Sequence, residues 1–522
     1  MRTQCPVNYV LRAVVVASSL AAANPYVSRW TIGQSVKTTS GLVEGHAARN
    51  ASQVSEYLGI PYAKPPVGNL RFQPPVKFSG SSTINGSDYG HQCMQPVGKG
   101  TSPDAYEKLG VPASAAAAFT ELKVTGSQSE DCLTLNVWTK PQTGDLQKAV
   151  LVWIHGGAFT TGSSRVSGYN GKFIVDQTDV IVISLNYRLN VFGFPGNPVS
   201  APNLGLLDVR LAMEWIRDNV GNFGGDASRI TLFGESAGGS LVDYYSYAYV
   251  SDPIAKGFIL MSGVANGFGI FTNRIASEIW FNTTSATGCG NNLTDHHAVF
   301  DCMLLKNSTE VLAGVSSGKA GLGSVGGLPF SPTVDDVLVF ADYSIRDSAK
   351  GGYLIGNNDN EAGLFKLVAP DNINETFWTR LNLVSFNCPA ARRAARAASA
   401  GHPIWRYRYF GAFPNLAITT KPPSGAWHAS ELLALFDTWP QSPIANTPQQ
   451  TAVGRYLRGA WATFARNPTS GLSDYDCPGT WATYQADNAT LNRISFANQA
   501  ATDIALSNVY DRDCSASGIP IN

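Results

Sequence analysis

Charge is scarce in this chain. Asp, Glu, Lys and Arg make up 15% of its 522 residues, and 38 basic side chains are balanced by 38 acidic ones. With no net charge and no run of one sign, the sequence offers neither the basic stripe that grips a phosphate backbone nor a polybasic membrane anchor. Nucleic acid is therefore not an expected partner. Long hydrophobic runs are missing too: beyond a short N-terminal stretch, nothing reaches the ~18 apolar residues of a transmembrane helix. The eight cysteines form no CxxC pair and have no histidine at zinc-finger spacing, so no metal, and no other cofactor, is expected. What remains is a chain with 44% hydrophobic residues, enough for a large globular core.

The N-terminus has Arg2 and Arg12, an apolar run over residues 13–17, and Ala21, Ala22 and Ala23. A basic stretch, an apolar stretch and small residues in that order predict a signal peptide over residues 1–23 and secretion of the rest. Asn50, Asn85, Asn282, Asn292, Asn307, Asn374 and Asn488 each head N-x-S/T without an intervening proline, the acceptor pattern for N-glycosylation of an exported chain. Cys5 falls in the leader, which leaves Cys93, Cys132, Cys289, Cys302, Cys388, Cys477 and Cys514. Disulfides are the expected state of these in an oxidising compartment, with at least one thiol left over.

Short apolar runs alternate with helix-patterned segments, which predicts an α/β fold: a large, mostly parallel sheet with helices on both faces. Residues 149–154 (AVLVWI), 180–185 (VIVISL), 229–233 (RITLF), 256–261, 352–355 and 404–410 (IWRYRYF) read as strands, the first two as buried parallel ones. Residues 206–220 place Leu207, Leu211, Trp215 and Ile216 on one helical face. No repeat and no linker divides the chain, so residues 24–522 are expected to form one domain. The Ala- and Gly-rich tracts at 112–118 and 314–327 read as excursions from it.

G-x-S-x-G occurs twice, at residues 234–238 (GESAG) and 314–318 (GVSSG). In a nucleophile elbow the glycines permit a sharp strand-to-helix turn that thrusts the serine Oγ out of the sheet edge. Ser236 follows a strand-like run and precedes a helix-compatible segment, whereas Ser316 has no strand before it. Ser236 is the expected nucleophile. Upstream, residues 149–154 run into His155-Gly156-Gly157-Ala158-Phe159. Adjacent glycines there can aim backbone N–H groups at a developing oxyanion, so Gly156, Gly157 and Ala237 are the expected donors. The base must lie downstream if the order is serine, acid, histidine. Of His402 and His428, the first precedes a strand directly and the second sits on a loop, so His428 is expected. The acid lies past the strand at 352–355, where spacing alone leaves Asp359 and Glu361 both open.

These segments resemble the type-B carboxylesterase family, which includes cholinesterases, secreted fungal esterases and lipases, and the non-catalytic neuroligins. The resemblance rests on residues 58–72 (LGIPYAKPPVGNLRF), 129–138 (SEDCLTLNVW), HGGAF, Asn186-Tyr187-Arg188, residues 223–229 (FGGDASR) and 233–239 (FGESAGG), Phe330-Ser331-Pro332, the loop at 356–365, and His428-Ala429-Ser430-Glu431. It implies the α/β-hydrolase fold with a lid-like insertion, and Glu361 as the triad acid, although Ala362 stands where the family usually has glycine. It also implies disulfides Cys93–Cys132 and Cys289–Cys302, and a third from Cys388 to a C-terminal cysteine, with Cys514 favoured over Cys477. Arg71, Glu130, Arg188 and Asp208 match structural ion pairs.

The implied function is ester hydrolysis of a small molecule through an acyl-enzyme. Between Cys93 and Cys132 the chain has Tyr106 and Phe119 but none of the tryptophan with which cholinesterases bind choline, so choline specificity is not expected. The Ala-rich stretch at 113–122 can fold as a flap suited to lipid or bulky aromatic esters, although an Ala-rich helix more often serves plain packing. Three alternatives remain on the same scaffold: a lipase acting on longer acyl chains, an amidase, and a neuroligin-like binding ectodomain. The ectodomain is disfavoured by the presence of Ser236, Glu361 and His428 together.

Overall fold

The computed structural model describes residues 30–96, 109–269, 271–317, 330–369, 373–439, 442–475 and 479–518. The expected signal peptide, Tyr106, Cys477 and residues 318–327 of the glycine-rich tract at 314–327 lie outside them.

The described residues build one eleven-stranded sheet. In chain order its strands are β1 (His46–Ala48), β2 (Ala51–Pro61), β3 (Thr134–Thr139), β4 (Lys148–Ile154), β5 (Ile181–Leu185), β6 (Gly225–Glu235), β7 (Gly257–Met261), β8 (Gly352–Asn358), β9 (Ile404–Tyr409), β10 (Ala489–Ile494) and β11 (Ile504–Leu506). In space the order is β11-β10-β9-β8-β7-β6-β4-β5-β3-β2-β1. Pairing is parallel from β10 through β5 and antiparallel at both ends. The central strands are legible because every residue of β4, β5 and β7 is buried, which removes the polar alternation of a one-sided sheet.

Helices cover both faces. Those used below are α1 (Ala113–Glu121), α2 (Leu204–Asn219), α3 (Ala237–Ala248), α4 (Asn273–Ala286), α5 (His296–Leu305), α6 (Ser308–Ser317), α7 (Ala362–Val368), α8 (Cys388–Ser399), α9 (Leu432–Phe436), α10 (Pro448–Arg466) and α11 (Asn508–Ala516). Two apolar clusters pack against the two faces: Val150, Val152 and Ile154 of β4 enter one, Leu151 and Trp153 the other. On α2 the expected face is shifted. Leu207 and Leu211 are only half-buried, and Asp208, Val209, Ala212, Met213 and Ile216 face inward with Trp215. The displacement has a physical cause: Asp208 is fully buried in a bidentate pair with Arg188 (2.7 and 2.8 Å) and turns the helix towards it. Arg71 pairs likewise with Glu130 (2.6 and 2.7 Å) and also donates to the carbonyls of Met303, Leu304 and Lys306 at the end of α5.

Cys93–Cys132, Cys289–Cys302 and Cys388–Cys514 are bonded. The last fixes α11 to the start of α8. No helix among the described residues is long and apolar enough to cross a membrane.

Candidate active site

Ser236 stands alone between the end of β6 and the start of α3. Its φ of 57° and ψ of −125° lie outside the regions an L-residue prefers, a strain of about 1–3 kcal/mol that only a tightly determined surround sustains. The surround is glycine. A Cβ on Gly234 would stand 2.5 Å from the Gly238 carbonyl carbon, and one on Gly238 only 2.1 Å from the Ile154 oxygen. The Ser236 amide donates to the Met261 carbonyl (2.9 Å), which ties the elbow to β7. Ser316, in the rival motif, lies inside α6 and not at a strand-to-helix turn.

The HGGAF loop presses on the same elbow. A Cβ on Gly156 would sit 2.7 Å from the Glu235 carbonyl oxygen and 3.0 Å from the Ser236 Cβ. Gly157 (φ 103°), Ala158 (φ 58°) and Phe159 (φ 59°) all have positive φ, a local curl that turns successive amides into a concavity. His155 is buried and stacked on Tyr187 at 4.6 Å, with Nδ1 hydrogen-bonded to the Gly156 oxygen (2.9 Å). Burial pushes its pKa down to about 4, so it is neutral scaffold.

His428, on the loop before α9, is buried between a carboxylate and the elbow. Its Nδ1 lies 2.6 Å from Glu361 Oε2, and its Nε2 lies 3.1 Å from Glu235 Oε1, on the residue before Ser236. Glu361 is fully buried and accepts from the Asn358 amide (2.6 Å) and the Ser262 hydroxyl (2.7 Å) as well. Asp359, two residues earlier, points elsewhere and pairs with Arg408 (2.9 Å). His402, the other downstream histidine, packs on Tyr353 and contacts Ser348, not the elbow.

Three buried glutamates surround His428. Burial, opposed by His428 and reinforced by Glu431 and Glu361, pushes Glu235 up to about 8. Burial and Glu361 push Glu431 up to about 7. Burial alone would lower His428, but the charges of Glu235 and Glu361 outweigh it and raise the imidazole. Glu235 and Glu431 lie inside the motifs GESAGG and HASE, yet neither was read as part of the site. Glu235 directly precedes Ser236 and Glu431 follows His428 by three positions, and sequence does not reveal that either carboxylate is buried.

The imidazole is flanked by Phe365 and Phe386, each with its ring centroid 5.1 Å away, and Phe268 packs edge-on against Phe386. Phe119 of α1, the described aromatic from the Cys93–Cys132 loop, stacks on Trp427, the residue before His428 (5.6 Å). The segment between Cys93 and Cys132 thus packs against the loop that carries His428.

A family model described as the carboxylesterase family matches residues 33–382. A chlorogenic acid esterase of Aspergillus niger is 33% identical, with 88% of each chain covered. Secreted lipase 5 of Gibberella zeae is 30% identical over 94% of this chain and 95% of its own. An acetylcholinesterase of Bungarus fasciatus is 28% identical over 89% and 84%. With its buried parallel sheet and these relatives, the chain belongs to the carboxylesterase family, has the α/β-hydrolase fold and is a serine carboxylic ester hydrolase.

Proposed function

We propose that the enzyme is secreted and hydrolyses small-molecule carboxylic esters by two acyl transfers, with Ser236 as nucleophile, His428 as general base and Glu361 as its orienting acid. The observation that carries this reading is the 2.6 Å contact of His428 Nδ1 with Glu361, with Nε2 turned towards the elbow that presents Ser236. In the first step Nε2 takes the Ser236 proton as Oγ bonds to the ester carbonyl carbon. The resulting oxyanion rests on the N–H groups of Gly156, Gly157 and Ala237, each worth about 3 kcal/mol in the transition state. His428 then gives its proton to the departing alcohol oxygen, leaving an acyl-serine. In the second step it takes a proton from water, whose oxygen attacks the acyl carbon; the bond from that carbon to Ser236 Oγ then breaks, Oγ takes the proton back from His428, and the carboxylic acid leaves.

The test is Ser236→Ala on a small aryl ester. The expected result is a fall in kcat of at least about 10³-fold with unchanged folding; full turnover would refute the assignment.

Secretion is supported by the basic-then-apolar N-terminus, by the exposure of all seven sequon asparagines and by the disulfides. In this reading residues 24–522 act as one catalytic domain. The rings of Phe365 and Phe386 beside His428, with Phe268 against Phe386, suit a bulky apolar group. A lipase acting on longer acyl chains is the second reading, favoured by the docking of α1 on Trp427. An ester panel that varies acyl length separately from alcohol size, compared by kcat/KM, distinguishes the two.

A further inference from the structure

Around the Cys289–Cys302 disulfide two large aliphatic side chains face solvent with nothing to cover them. Leu293 is 90% exposed and Leu305 88%. They flank one covalent link, since Leu293 lies four residues past Cys289 and Leu305 three past Cys302, with the cysteine Cα atoms 5.5 Å apart. An exposed aliphatic side chain beside a glycan acceptor offers an apolar surface on which the C–H face of a sugar ring can lie.

Each leucine also adjoins an acceptor sequon, Asn292-Leu293-Thr294 and Asn307-Ser308-Thr309. Both asparagines are exposed. Asn307 Oδ1 accepts from the Glu310 amide (2.8 Å) and the Thr309 hydroxyl (2.6 Å) at the start of α6. Its oxygen is thereby anchored, while Nδ2 makes no hydrogen bond to the described residues. The Asn292 carboxamide makes none to them either. Asn488 is different: its Nδ2 donates to Gln485, and the hydroxyl of its sequon partner Thr490 is buried in bonds to the Gln485 amide and carbonyl (3.0 Å each).

We propose that Asn292 and Asn307 carry N-glycans whose first sugars lie over Leu293 and Leu305. In forming each link, Nδ2 bonds to the anomeric carbon of an N-acetylglucosamine supplied on a lipid diphosphate. The carbon–oxygen bond to the diphosphate breaks, and Nδ2 releases one proton. The C–H face of a pyranose ring supplies the apolar partner that the leucines lack, and its hydroxyls face water. The proposal rests on the secretion reading.

The experiment uses the full chain recovered from the medium of its native source. Glycopeptide mass mapping is expected to find both asparagines occupied. Thr294→Ala and Thr309→Ala together remove both acceptor motifs yet keep the asparagines, including the cap of α6. That double variant is expected to lose the mass of two glycans and to bind more of a hydrophobic-surface dye. Adding Leu293→Ser and Leu305→Ser is expected to return dye binding to the wild-type level. Secreted protein with bare Asn292 and Asn307, or dye binding unchanged after the glycans are lost, overturns the proposal and leaves secretion standing. Chain retained in the cytosol overturns the secretion reading, and the proposal falls with it.

Discussion

In the proposed mechanism His428 must be neutral to accept a proton, yet Glu235 and Glu361 both contact it and favour its charged form. The two carboxylates act on different atoms. Glu361 receives Nδ1–H and fixes the tautomer, which leaves Nε2 for chemistry. Glu235 sits at Nε2 and raises the imidazole electrostatically without orienting it. Because those charges lift His428 above its ordinary value of 6.5, the acid limb of kcat/KM is expected above pH 6.5. Glu235→Gln removes one of the charges, so the imidazole pKa falls, the free base persists into more acid solution and the limb moves to lower pH. A pH series of kcat/KM for both proteins checks this; a limb that stays in place would mean that Glu235 is not charged when His428 titrates. A second check separates orientation from charge: Glu361→Gln is expected to lower kcat strongly at every pH, since an amide can present its N–H to Nδ1 and reverse the tautomer.

The elements that carry these residues are held by contacts remote in sequence. The elbow's helix α3 reaches back to the loop after β7: Ser240 Oγ donates to the Val264 carbonyl (3.0 Å), and Asp243 Oδ2 accepts from the Ala265 amide (2.9 Å). That loop begins with Ser262, which donates to Glu361, so the Ser236 elbow and Glu361 share one support. Asp243 is balanced by Arg393 of α8 (2.8 Å), whose guanidinium lies between the Tyr247 and Tyr353 rings. At the far end of the sheet, α11 is held by Cys388–Cys514 and by the buried Arg406–Asp511 pair. The disulfide closes a span of 126 residues; a loop of that length restricts the unfolded chain by roughly 4–5 kcal/mol in the entropic account. The double variant Cys388→Ala, Cys514→Ala is expected to lose stability of that order in urea unfolding, and limited proteolysis should cut first near α11. An unchanged unfolding free energy would place the holding force in Arg406–Asp511. Sequence revealed these elements unevenly. Strands β4 and β5 were legible to within a residue because burial on both faces leaves an unbroken apolar run. The face of α2 was misplaced because a buried aspartate counts as polar in any periodicity. Spacing left Asp359 and Glu361 both open, two positions apart on one loop; in the structure Asp359 pairs with Arg408 and Glu361 contacts His428.

Across the whole molecule, the parts of the proposed site come from β4, β6, β7, β8 and the loop before α9, and only the assembled sheet brings them together. Sequence singled out Ser236, Gly156, Gly157 and His428 from local patterns, but it could not show that Glu235, Glu361 and Glu431 converge on one buried imidazole. That convergence should be visible in the stability of the entire fold. Glu235 and Glu431 rise in the folded chain from 4.5 to about 8 and about 7, and His428 rises above 6.5. Each folded group then keeps a proton that its unfolded counterpart has lost, so unfolding releases protons and stability falls as pH increases through this window. His155 works the other way: lowered to about 4, it costs stability as pH falls from 6.5 towards 4. Between pH 6.5 and 8 His155 no longer contributes, because the histidine is neutral in both states, and the two glutamates together with His428 set the slope. Each retained proton is worth on the order of 1 kcal/mol per pH unit there. The wild-type Tm is therefore expected to decline from pH 6.5 to 8, and Glu235→Gln, which can neither hold nor release that proton, is expected to decline less steeply. A thermal-unfolding series for the two proteins at fixed ionic strength decides the matter. Parallel slopes would show that Glu235 is already ionised in the folded enzyme and that its charge is balanced by His428 alone.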